Sequence, residues 1–189
     1  MKSEIKKPIL EKRDSLSEQE IMEKSGKIEE KLFNFNQYKN AKMVMFYVSF
    51  KSEVCTHEMI KNSLKSKKII VPKILSHEIE PSLIIDFDSM ISGKFGILEP
   101  IELMRVPYKN IDIVIVPATV FDLSGHRIGY GHGYYDKFLK KIKAVKVGLC
   151  FDFQIVEKLP REEHDIPVDL IVTEEKVVDC KKIYSQPQK

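Results

Sequence analysis

The chain has 189 residues, of which 43% are hydrophobic and 31% are charged, and this is the composition of an ordinary soluble protein. We therefore predict one domain over residues 1–189, with a polar tail at about residues 184–189. A formal charge of +3 is too small to indicate a nucleic-acid partner. No apolar run approaches the ~18 residues that a membrane span requires, so we also predict no membrane association.

Three cysteines, Cys55, Cys150 and Cys180, are odd in number, lie far apart and form no CxxC pair. This pattern favours a reducing compartment without structural disulfides, and it favours packing residues over nucleophiles. The first eight residues include several charged side chains and lack an apolar signal core. We therefore expect a cytoplasmic protein, and we expect it to be a monomer.

The first 35 residues predict a pair of helices, because apolar residues recur at helical spacing in two separate stretches. Ser17 is followed three residues later by Glu20, the capping-box pattern that starts a helix. Pro8 is tolerated only in the first turn of the first helix or at a kink in it.

Short apolar runs alternate with helical patterns from Met43 onward. Pro72 is expected to stop the second of these strands. This alternation indicates an α/β fold with a mostly parallel central sheet, which binds ligands at the carboxyl ends of its strands. We predict strands at residues 43–48, 69–71, 83–85, 111–116, 145–149 and 170–172, and helices at residues 56–67 and 134–142.

Four of the eight glycines lie within residues 125–133, between a predicted strand and a predicted helix. Glycines at alternate positions let a ligand approach the backbone, whose N–H groups and helix N-terminus together attract an anion. Arg127 on the rim could bind a phosphate through two hydrogen bonds. The pattern therefore favours a phosphate site over a flexible turn, although it matches neither a Walker loop nor a GxGxxG fingerprint.

Two aspartates could hold a magnesium ion beside such a phosphate site. Asp136 lies just inside the predicted helix, where it could equally complement the helix dipole. Asp169 precedes the last apolar strand, where turn aspartates are common.

Further charged residues are candidates for substrate contacts. Glu53 lies in the loop after the first strand and could accept two N–H hydrogen bonds from a pterin-like ring, or it could be an exposed loop charge. Lys2, Lys6 and Arg13 fall near one face of the first helix. Such a stripe is usually the solvated side of an amphipathic helix, so it matters only if that face turns toward the glycine loop. The histidines have no metal-ligand spacing.

The sequences VPATVFD and GHRIGYGHGYYD, at residues 116–122 and 125–136, closely resemble the signature of the 5-formyltetrahydrofolate cyclo-ligase family. Weaker family elements occur in the family's order at residues 2–6, 12–17, 71–73 and 96–100, and at Glu53 with Thr56. The resemblance extends from about Lys2 to Val172.

This resemblance implies a three-layer α/β/α sandwich with an N-terminal helical pair. It also implies that the protein converts 5-formyltetrahydrofolate, which can carry a polyglutamate tail, to 5,10-methenyltetrahydrofolate. The reaction would use ATP and Mg²⁺, pass through a phosphorylated formyl intermediate, and release ADP and phosphate. No nucleophilic serine or cysteine is required.

The resemblance also implies the site residues. It assigns ATP binding to Lys2, Lys6, Arg13, Gly129, Tyr130, Gly131, His132, Gly133, Tyr134 and Asp136. It assigns folate binding to Phe50, Glu53 and Tyr135, catalysis to Arg127, Tyr135 and Asp136, and metal coordination to Asp136 and Asp169.

Three positions depart from the family pattern. Lys6 stands where relatives have arginine, and it keeps the charge but loses the bidentate fork. Tyr130 and His132 occupy positions that are often basic in relatives. Two other interpretations stay open: a diverged ATP- or phosphate-binding enzyme, or a non-catalytic nucleotide-binding module on the same fold.

Overall fold

A computed structural model describes residues 2–93, 96–131, 133–162 and 165–184. The helices are α1 (Lys2–Asp14), α2 (Glu18–Asn34), α3 (Asn36–Asn40), α4 (His57–Leu64), α5 (Tyr134–Leu139) and α6 (Cys180–Tyr184). The strands are β1 (Met43–Met45), β2 (Lys68–Leu75), β3 (Glu78–Ile84), β4 (Ile91–Ser92), β5 (Leu98–Glu99), β6 (Ile113–Pro117), β7 (Val120–Asp122), β8 (Arg127–Ile128), β9 (Val145–Leu149), β10 (Ile155–Val156), β11 (Leu170–Val172) and β12 (Val177–Asp179). Short 3₁₀ turns occupy Tyr108–Asn110 and Asp152–Gln154.

The predicted N-terminal helical pair is confirmed as α1 and α2. Ser17 is the N-cap of α2, and its side chain accepts a hydrogen bond from the Glu20 backbone N–H at 3.2 Å. The Glu20 carboxylate accepts the Ser17 backbone N–H at 2.8 Å in return, which completes the capping box. Pro8 lies inside α1, beyond its first turn. None of the helices in the described ranges is long and apolar enough to cross a membrane.

The central sheet has seven strands in the order β12-β11-β9-β6-β1-β2-β3. The pairs β1–β2, β1–β6, β6–β9 and β9–β11 are parallel, whereas the edge strands β3 and β12 are antiparallel to their neighbours. A mostly parallel sheet is therefore confirmed. Its strand order reverses at β1 and β6, the kind of switch point where α/β folds bind ligands.

Helices cover both faces of this sheet. Alternate residues of a strand point to opposite faces, so Val44 and Ile113 pack in one core with side chains of α2, α3 and α4. Their neighbours Met45 and Val114 pack in a second core with side chains of α5. These two cores confirm the three-layer α/β/α arrangement.

A small sheet has the order β10-β7-β8, and its β7–β8 hairpin lies between β6 and α5 in the path of the chain. Phe121 of β7 packs against β9 at Gly148, where a Cβ atom would come within 2.6 Å of the Phe121 ring. Gly125 makes the turn between β7 and β8 with a φ of +86°. This hairpin carries the chain into the glycine-rich residues 129–133.

Several boundaries differ from the sequence prediction. Pro72 does not stop the second strand, since β2 runs on to Leu75. β1 pairs with β2 only as far as Ile70. Beyond that residue, β2 pairs with β3 alone. Proline is tolerated at such an edge position because the strand has no second neighbour to bond. Helices α4 and α5 are also shorter than the apolar patterns indicated.

Candidate active site

The glycine loop, residues 129–133, presents open backbone at the start of α5. Gly131 and Gly133 have φ values of +105° and +65°, which side-chain-bearing residues rarely adopt. A Cβ atom added at Gly129, Gly131 or Gly133 would meet no atom within 4 Å. The backbone at these three glycines is therefore open to an approaching ligand, and the phosphate site stays a prediction. His132 lies outside the described residues.

Arg127 and Asp136, which flank this loop in the sequence, form an ion pair. The Arg127 Nη2 donates to Asp136 Oδ1 at 2.6 Å, and its Nη1 donates to the Ile166 carbonyl at 2.5 Å. The Arg127 side chain is only 5% exposed, so it is not the rim residue that the sequence suggested. Burial lowers the pKa of this guanidinium, and Asp136 opposes that shift. The pair places one cation and one carboxylate where the loop enters α5.

Glu53 lies in the loop that follows β1. Reciprocal hydrogen bonds of 3.0 Å between Ser49 and Thr56, each from a backbone N–H to the other hydroxyl, close that loop. The Glu53 carboxylate accepts the Phe50 backbone N–H at 2.9 Å and is only 8% exposed. Burial therefore raises the pKa of Glu53, although the Phe50 N–H and the Arg13 charge oppose that shift. The interpretation as an exposed loop charge is wrong, and a buried acceptor is present.

The ring of Phe50 borders the same loop. A Cβ atom at Gly96, whose φ is +79°, would come within 3.4 Å of this ring. Gly96 therefore lies beside the proposed folate residue Phe50, which places this weaker family element next to the candidate site.

Arg13 of α1 joins the loop after β1 to the glycine loop. Its guanidinium is buried, and its Nε donates to Ser52 Oγ at 3.1 Å. Its Nη2 donates to the Tyr130 hydroxyl at 2.6 Å. Burial raises the pKa of Tyr130 to about 12, and the nearby Glu53 charge adds to that shift. The face of α1 that carries Arg13 therefore turns toward the glycine loop, and it is not merely a solvated stripe.

The other two N-terminal cations lie at different distances from the loop. The Lys6 Nζ is 5.3 Å from the centroid of the Tyr130 ring. Lys2 instead bonds carboxylates, with its Nζ 2.7 Å from Glu162 Oε1 and 3.4 Å from Asp165 Oδ2. These carboxylates raise the pKa of Lys2. Asp165 also helps to oppose the lowering of the pKa of Arg127 by burial.

Tyr135, in the first turn of α5, holds a hydroxyl without a hydrogen-bond partner in the described structure, and that oxygen is buried. The charges of Glu53 and Arg127 both act on it, and burial raises its pKa far above the ordinary value. A buried, unpaired hydroxyl costs free energy unless a ligand satisfies it. The Tyr135 hydroxyl is therefore a buried group that a ligand could satisfy.

Asp169 is held away from this cluster. It immediately precedes β11, at the amino end of a parallel strand, whereas the loop after β1 lies beyond a carboxyl end. Its Oδ2 accepts the Lys146 backbone N–H at 2.8 Å, and its Oδ1 lies 3.0 Å from the Lys181 Nζ. These contacts lower its pKa despite partial burial. Since its carboxylate is engaged at the opposite end of the strand from the glycine loop, its metal role stays a prediction.

Asp136 is suited to bind a metal ion that is also coordinated by the phosphates of a nucleotide. Within the ranges that the structure describes, no three His, Cys, Asp or Glu side chains form a metal cage. Mg²⁺ commonly uses one or two carboxylates together with phosphate oxygens and water. The Asp136 side chain is 28% exposed at the start of a helix, and it can serve as such a ligand.

The described cavities lie elsewhere. One of about 520 Å³ is bordered by Asn36, Asp112 and Val145, at the amino ends of β6 and β9. Another of about 290 Å³ lies between α3 and α4, beside Tyr38 and Lys67. Neither of these two cavities is bordered by the glycine loop.

Sequence reasoning missed three polar residues of the site. Ser52 binds Arg13 and also donates to Asp14, while Glu162 and Asp165 hold Lys2. These contacts join residues that are far apart in the chain, and no local sequence pattern predicts them.

Comparisons with known proteins show which proteins share this sequence and architecture. Residues 1–174 match the 5-formyltetrahydrofolate cyclo-ligase family. The chain is 29% identical over 178 residues to the 5-formyltetrahydrofolate cyclo-ligase of Escherichia coli K12, with 89% of this chain and 98% of that relative covered. The NMR structure of 5,10-methenyltetrahydrofolate synthetase from Aquifex aeolicus is 39% identical, with a TM-score of 0.88 over 100% of this chain and 95% of that one. The Mycoplasma pneumoniae 5,10-methenyltetrahydrofolate synthetase is 27% identical, with a TM-score of 0.75 over 92% and 98%.

The fold and the site define an α/β enzyme of the ligase class, with its glycine loop and its buried glutamate joined at the carboxyl edge of a parallel sheet. The family match covers residues 1–174, nearly the whole chain. The chain belongs to the 5-formyltetrahydrofolate cyclo-ligase family, and it is a cyclo-ligase of folate one-carbon metabolism. The resemblance carried by residues 116–122 and 125–136 is thereby confirmed.

Proposed function

We propose that this enzyme closes 5-formyltetrahydrofolate to 5,10-methenyltetrahydrofolate while it consumes ATP, requires Mg²⁺, and releases ADP and phosphate. We propose further that it acts as a monomer in the cytoplasm and accepts polyglutamylated folate. Family membership supports the folate reaction, and the open glycine loop supports ATP as the second substrate.

The observation that carries the proposal is the position of Arg13, which donates to Ser52 Oγ in the loop after β1 at 3.1 Å and to the Tyr130 hydroxyl in the glycine loop at 2.6 Å. Tyr130 belongs to the proposed ATP loop, and Ser52 immediately precedes Glu53, the proposed folate acceptor. Direct phosphoryl transfer between two substrates requires their sites to adjoin, because the reacting atoms must come within about 3–3.5 Å. The contacts of Arg13 with both loops support that adjacency.

The proposed reaction divides into two steps. In the first, the formyl oxygen of the folate attacks the γ-phosphorus of ATP, and the bond to the ADP oxygen breaks. In the second, the N10 amine adds to the formyl carbon, loses its proton, and expels the phosphorylated oxygen as phosphate. The product then carries the methenyl bridge between N5 and N10.

In these steps the protein aligns the two substrates and screens the charge on the transferring phosphoryl group. Glu53 would accept N–H groups of the pterin ring and fix its orientation. The glycine-loop N–H groups, Lys6 and Arg13 would hold the ATP phosphates, and Arg127 would stand next to the transferring group. The buried Tyr135 hydroxyl would donate to an oxygen at the junction of the two substrates.

Asp136 would hold Mg²⁺ together with phosphate oxygens and water, and Asp169 is a further proposed ligand. Mg²⁺ supplies neutralisation of the phosphate charge when it is bound. Because Arg127 already occupies Asp136 Oδ1, the metal would use the second carboxylate oxygen or take the place of the guanidinium.

The test is the ultraviolet absorbance of the conjugated methenyl product, recorded with purified protein, 5-formyltetrahydrofolate and Mg-ATP. We expect absorbance to rise in the complete mixture and to stay flat when ATP, folate or Mg²⁺ is omitted. Asp136→Asn should be folded and inactive, because it loses the metal-binding charge. Asp179→Asn, at a partly exposed aspartate at the end of β12, should keep wild-type activity and serves as the matched control.

Two outcomes would favour the other interpretations. A folded protein that binds ATP but gives no methenyl product would favour a diverged enzyme with another substrate. A protein that binds nucleotide and turns over neither ATP nor folate would favour a non-catalytic module. Glu53→Gln distinguishes the first of these outcomes, since it should weaken folate binding about tenfold to a hundredfold here and matter little for a different substrate.

A further inference from the structure

Ser52 lies in the loop after β1, next to the proposed folate residue Glu53, but its hydroxyl contacts α1. The Ser52 oxygen accepts a hydrogen bond from Arg13 Nε at 3.1 Å, and the hydroxyl donates to Asp14 Oδ1. The direction of both bonds is fixed, because a guanidinium can only donate and a carboxylate can only accept. Ser52 is only 7% exposed, so its hydroxyl is a buried link between a cation and an anion.

The two residues that Ser52 links are consecutive at the end of α1. Consecutive side chains of a helix do not face each other, and here Arg13 is buried whereas Asp14 is exposed. The Ser52 hydroxyl therefore connects the buried guanidinium to a carboxylate on a different side of the helix. Because its proton goes to Asp14, its lone pairs are left for Arg13.

This link fixes the orientation of the Arg13 guanidinium. The five N–H donors of a guanidinium lie in one plane, so a partner that holds Nε also sets where the two amino groups point. Nη2 donates to the Tyr130 hydroxyl of the glycine loop at 2.6 Å. Within the described ranges, both hydrogen bonds of this buried cation therefore go to neutral hydroxyls. A buried charge is unfavourable unless it is paired, so Arg13 is suited to receive an anion at the glycine loop.

We propose that Ser52 is a positioning residue for ATP binding. Its hydroxyl, oriented by Asp14, holds the Nε of Arg13 so that the amino groups of the guanidinium meet the ATP phosphates at the glycine loop. Arg13 touches the nucleotide, and Ser52 acts only through Arg13. This inference rests on the proposed function, because it assigns Arg13 and the glycine loop to ATP. It gives a residue of the loop that carries the folate acceptor a role in binding the other substrate.

Ser52→Ala tests the role of this hydroxyl. Calorimetry measures the dissociation constants of a non-hydrolysable Mg-ATP analogue and of 5-formyltetrahydrofolate. We expect the variant to bind the analogue about tenfold more weakly, the loss expected for a hydrogen bond to a charged group. Folate affinity should stay at the wild-type value, because the reciprocal bonds between Ser49 and Thr56 still close the loop. Unchanged affinity for the analogue would overturn the inference.

A double-mutant cycle with Arg13→Met shows whether Ser52 acts through Arg13. Arg13→Met alone should weaken binding of the analogue, and adding Ser52→Ala to it should weaken binding no further. A merely structural role of Ser52 would give the same additional loss whether or not the guanidinium is present. That result would also overturn the inference.

Ser25→Ala is the matched control, because it removes a buried hydroxyl that bonds the same loop without contacting Arg13. Ser25 lies in α2 and is 3% exposed, and its Oγ accepts the Cys55 backbone N–H at 2.9 Å. This variant should keep the wild-type affinity for the analogue. A loss equal to that of Ser52→Ala would show that any disturbance of the loop weakens nucleotide binding, and it would contradict a specific role for Ser52.

The same measurements distinguish this inference from the proposed function. Wild-type protein that fails to bind the analogue, or fails to form the methenyl product, overturns the proposed function and this inference with it. If the wild type forms the product but Arg13→Met binds the analogue as tightly as the wild type, the assignment of Arg13 to ATP is wrong and the inference falls with that assignment. If Arg13→Met weakens binding and Ser52→Ala does not, the inference alone is overturned.

Discussion

Glu53 combines burial with a negative charge, and its protonation should control folate binding. Burial raises the pKa of Glu53 above its ordinary value of 4.5. Only the ionised carboxylate accepts two N–H bonds, so affinity for 5-formyltetrahydrofolate should fall as pH drops from neutral through this raised pKa. The same shift means that ionised Glu53 lowers the stability of the fold above its raised pKa, and that this penalty disappears as pH falls through it.

Glu53→Gln provides the comparison. At pH 7 we expect it to bind the folate about tenfold to a hundredfold more weakly, the loss expected for hydrogen bonds to a charged group. Between pH 7 and about 4.5 its affinity should change little, while that of the wild type should decline toward it. Titration calorimetry at several pH values measures both. A wild-type affinity that is flat across this range would contradict the assignment of Glu53 as the ionised acceptor.

The glycine loop can be tested as an element, because two of its glycines differ in backbone conformation but not in surrounding space. A Cβ atom is free of contacts at both Gly129 and Gly131, but only Gly131 has a φ in the left-handed region. Gly131→Ala should therefore destabilise the free protein by about 1–2 kcal/mol, and Gly129→Ala should change its stability much less. Urea unfolding of the two variants measures this difference.

ATP binding gives the second result for the same pair. If the phosphates approach the backbone as proposed, both alanines should raise the KM for ATP, because each methyl group fills space in the cradle. A KM for ATP that neither substitution changes would place the phosphates elsewhere.

The start of α2 depends on the capping box at Ser17 and Glu20. Ser17→Ala removes the acceptor of the Glu20 backbone N–H and should cost about 1 kcal/mol of unfolding free energy. Activity per folded molecule should stay unchanged, since the cap lies outside the proposed site. Ser66→Ala, at an exposed serine after α4, is the control and should leave the unfolding midpoint where it is. An equal loss in both variants would show that the cap contributes nothing specific.

At the level of elements, the sequence could predict the features that are formed by residues close together in the chain. The capping box needs residues three apart, and the glycine loop is a continuous run, so both could be recognised from the order of residues alone. The contacts that build the site are not local: Arg13 bonds Ser52 across 39 positions and Tyr130 across 117. Only the packing of α1 over the carboxyl edge of the sheet brings them together, and that packing has no signature in a single stretch of sequence.

Burial could not be predicted at this scale either. The sequence suggests a rim position for Arg127 and allows an exposed loop charge for Glu53, because arginine and glutamate are mostly exposed in proteins. Each is buried here with a charged partner from another element nearby: Asp136 for Arg127, and the charge of Arg13 for Glu53. Pro72 shows the same limit, since its tolerance depends on where the neighbouring strand ends.

At the scale of the whole molecule, the fold should not depend on metal although the reaction should. The described residues form no cage of three metal-binding side chains, and the proposed ligand Asp136 stands beside the glycine loop. A metal bound chiefly through ATP phosphates stabilises the protein only when the nucleotide is present. We therefore expect EDTA to abolish product formation without lowering the Tm of the free protein.

Thermal unfolding with each combination of ligands checks this expectation. Mg²⁺ alone should leave the Tm unchanged, and Mg-ATP should raise it by an amount that grows with nucleotide concentration. Asp136→Asn should lose most of the stabilisation by Mg-ATP and keep the stabilisation by 5-formyltetrahydrofolate, because the folate contacts Glu53 and not the metal. If EDTA lowered the Tm of the ligand-free protein, the metal would be part of the fold, and the assignment of Asp136 as a ligand that acts together with the nucleotide would be wrong.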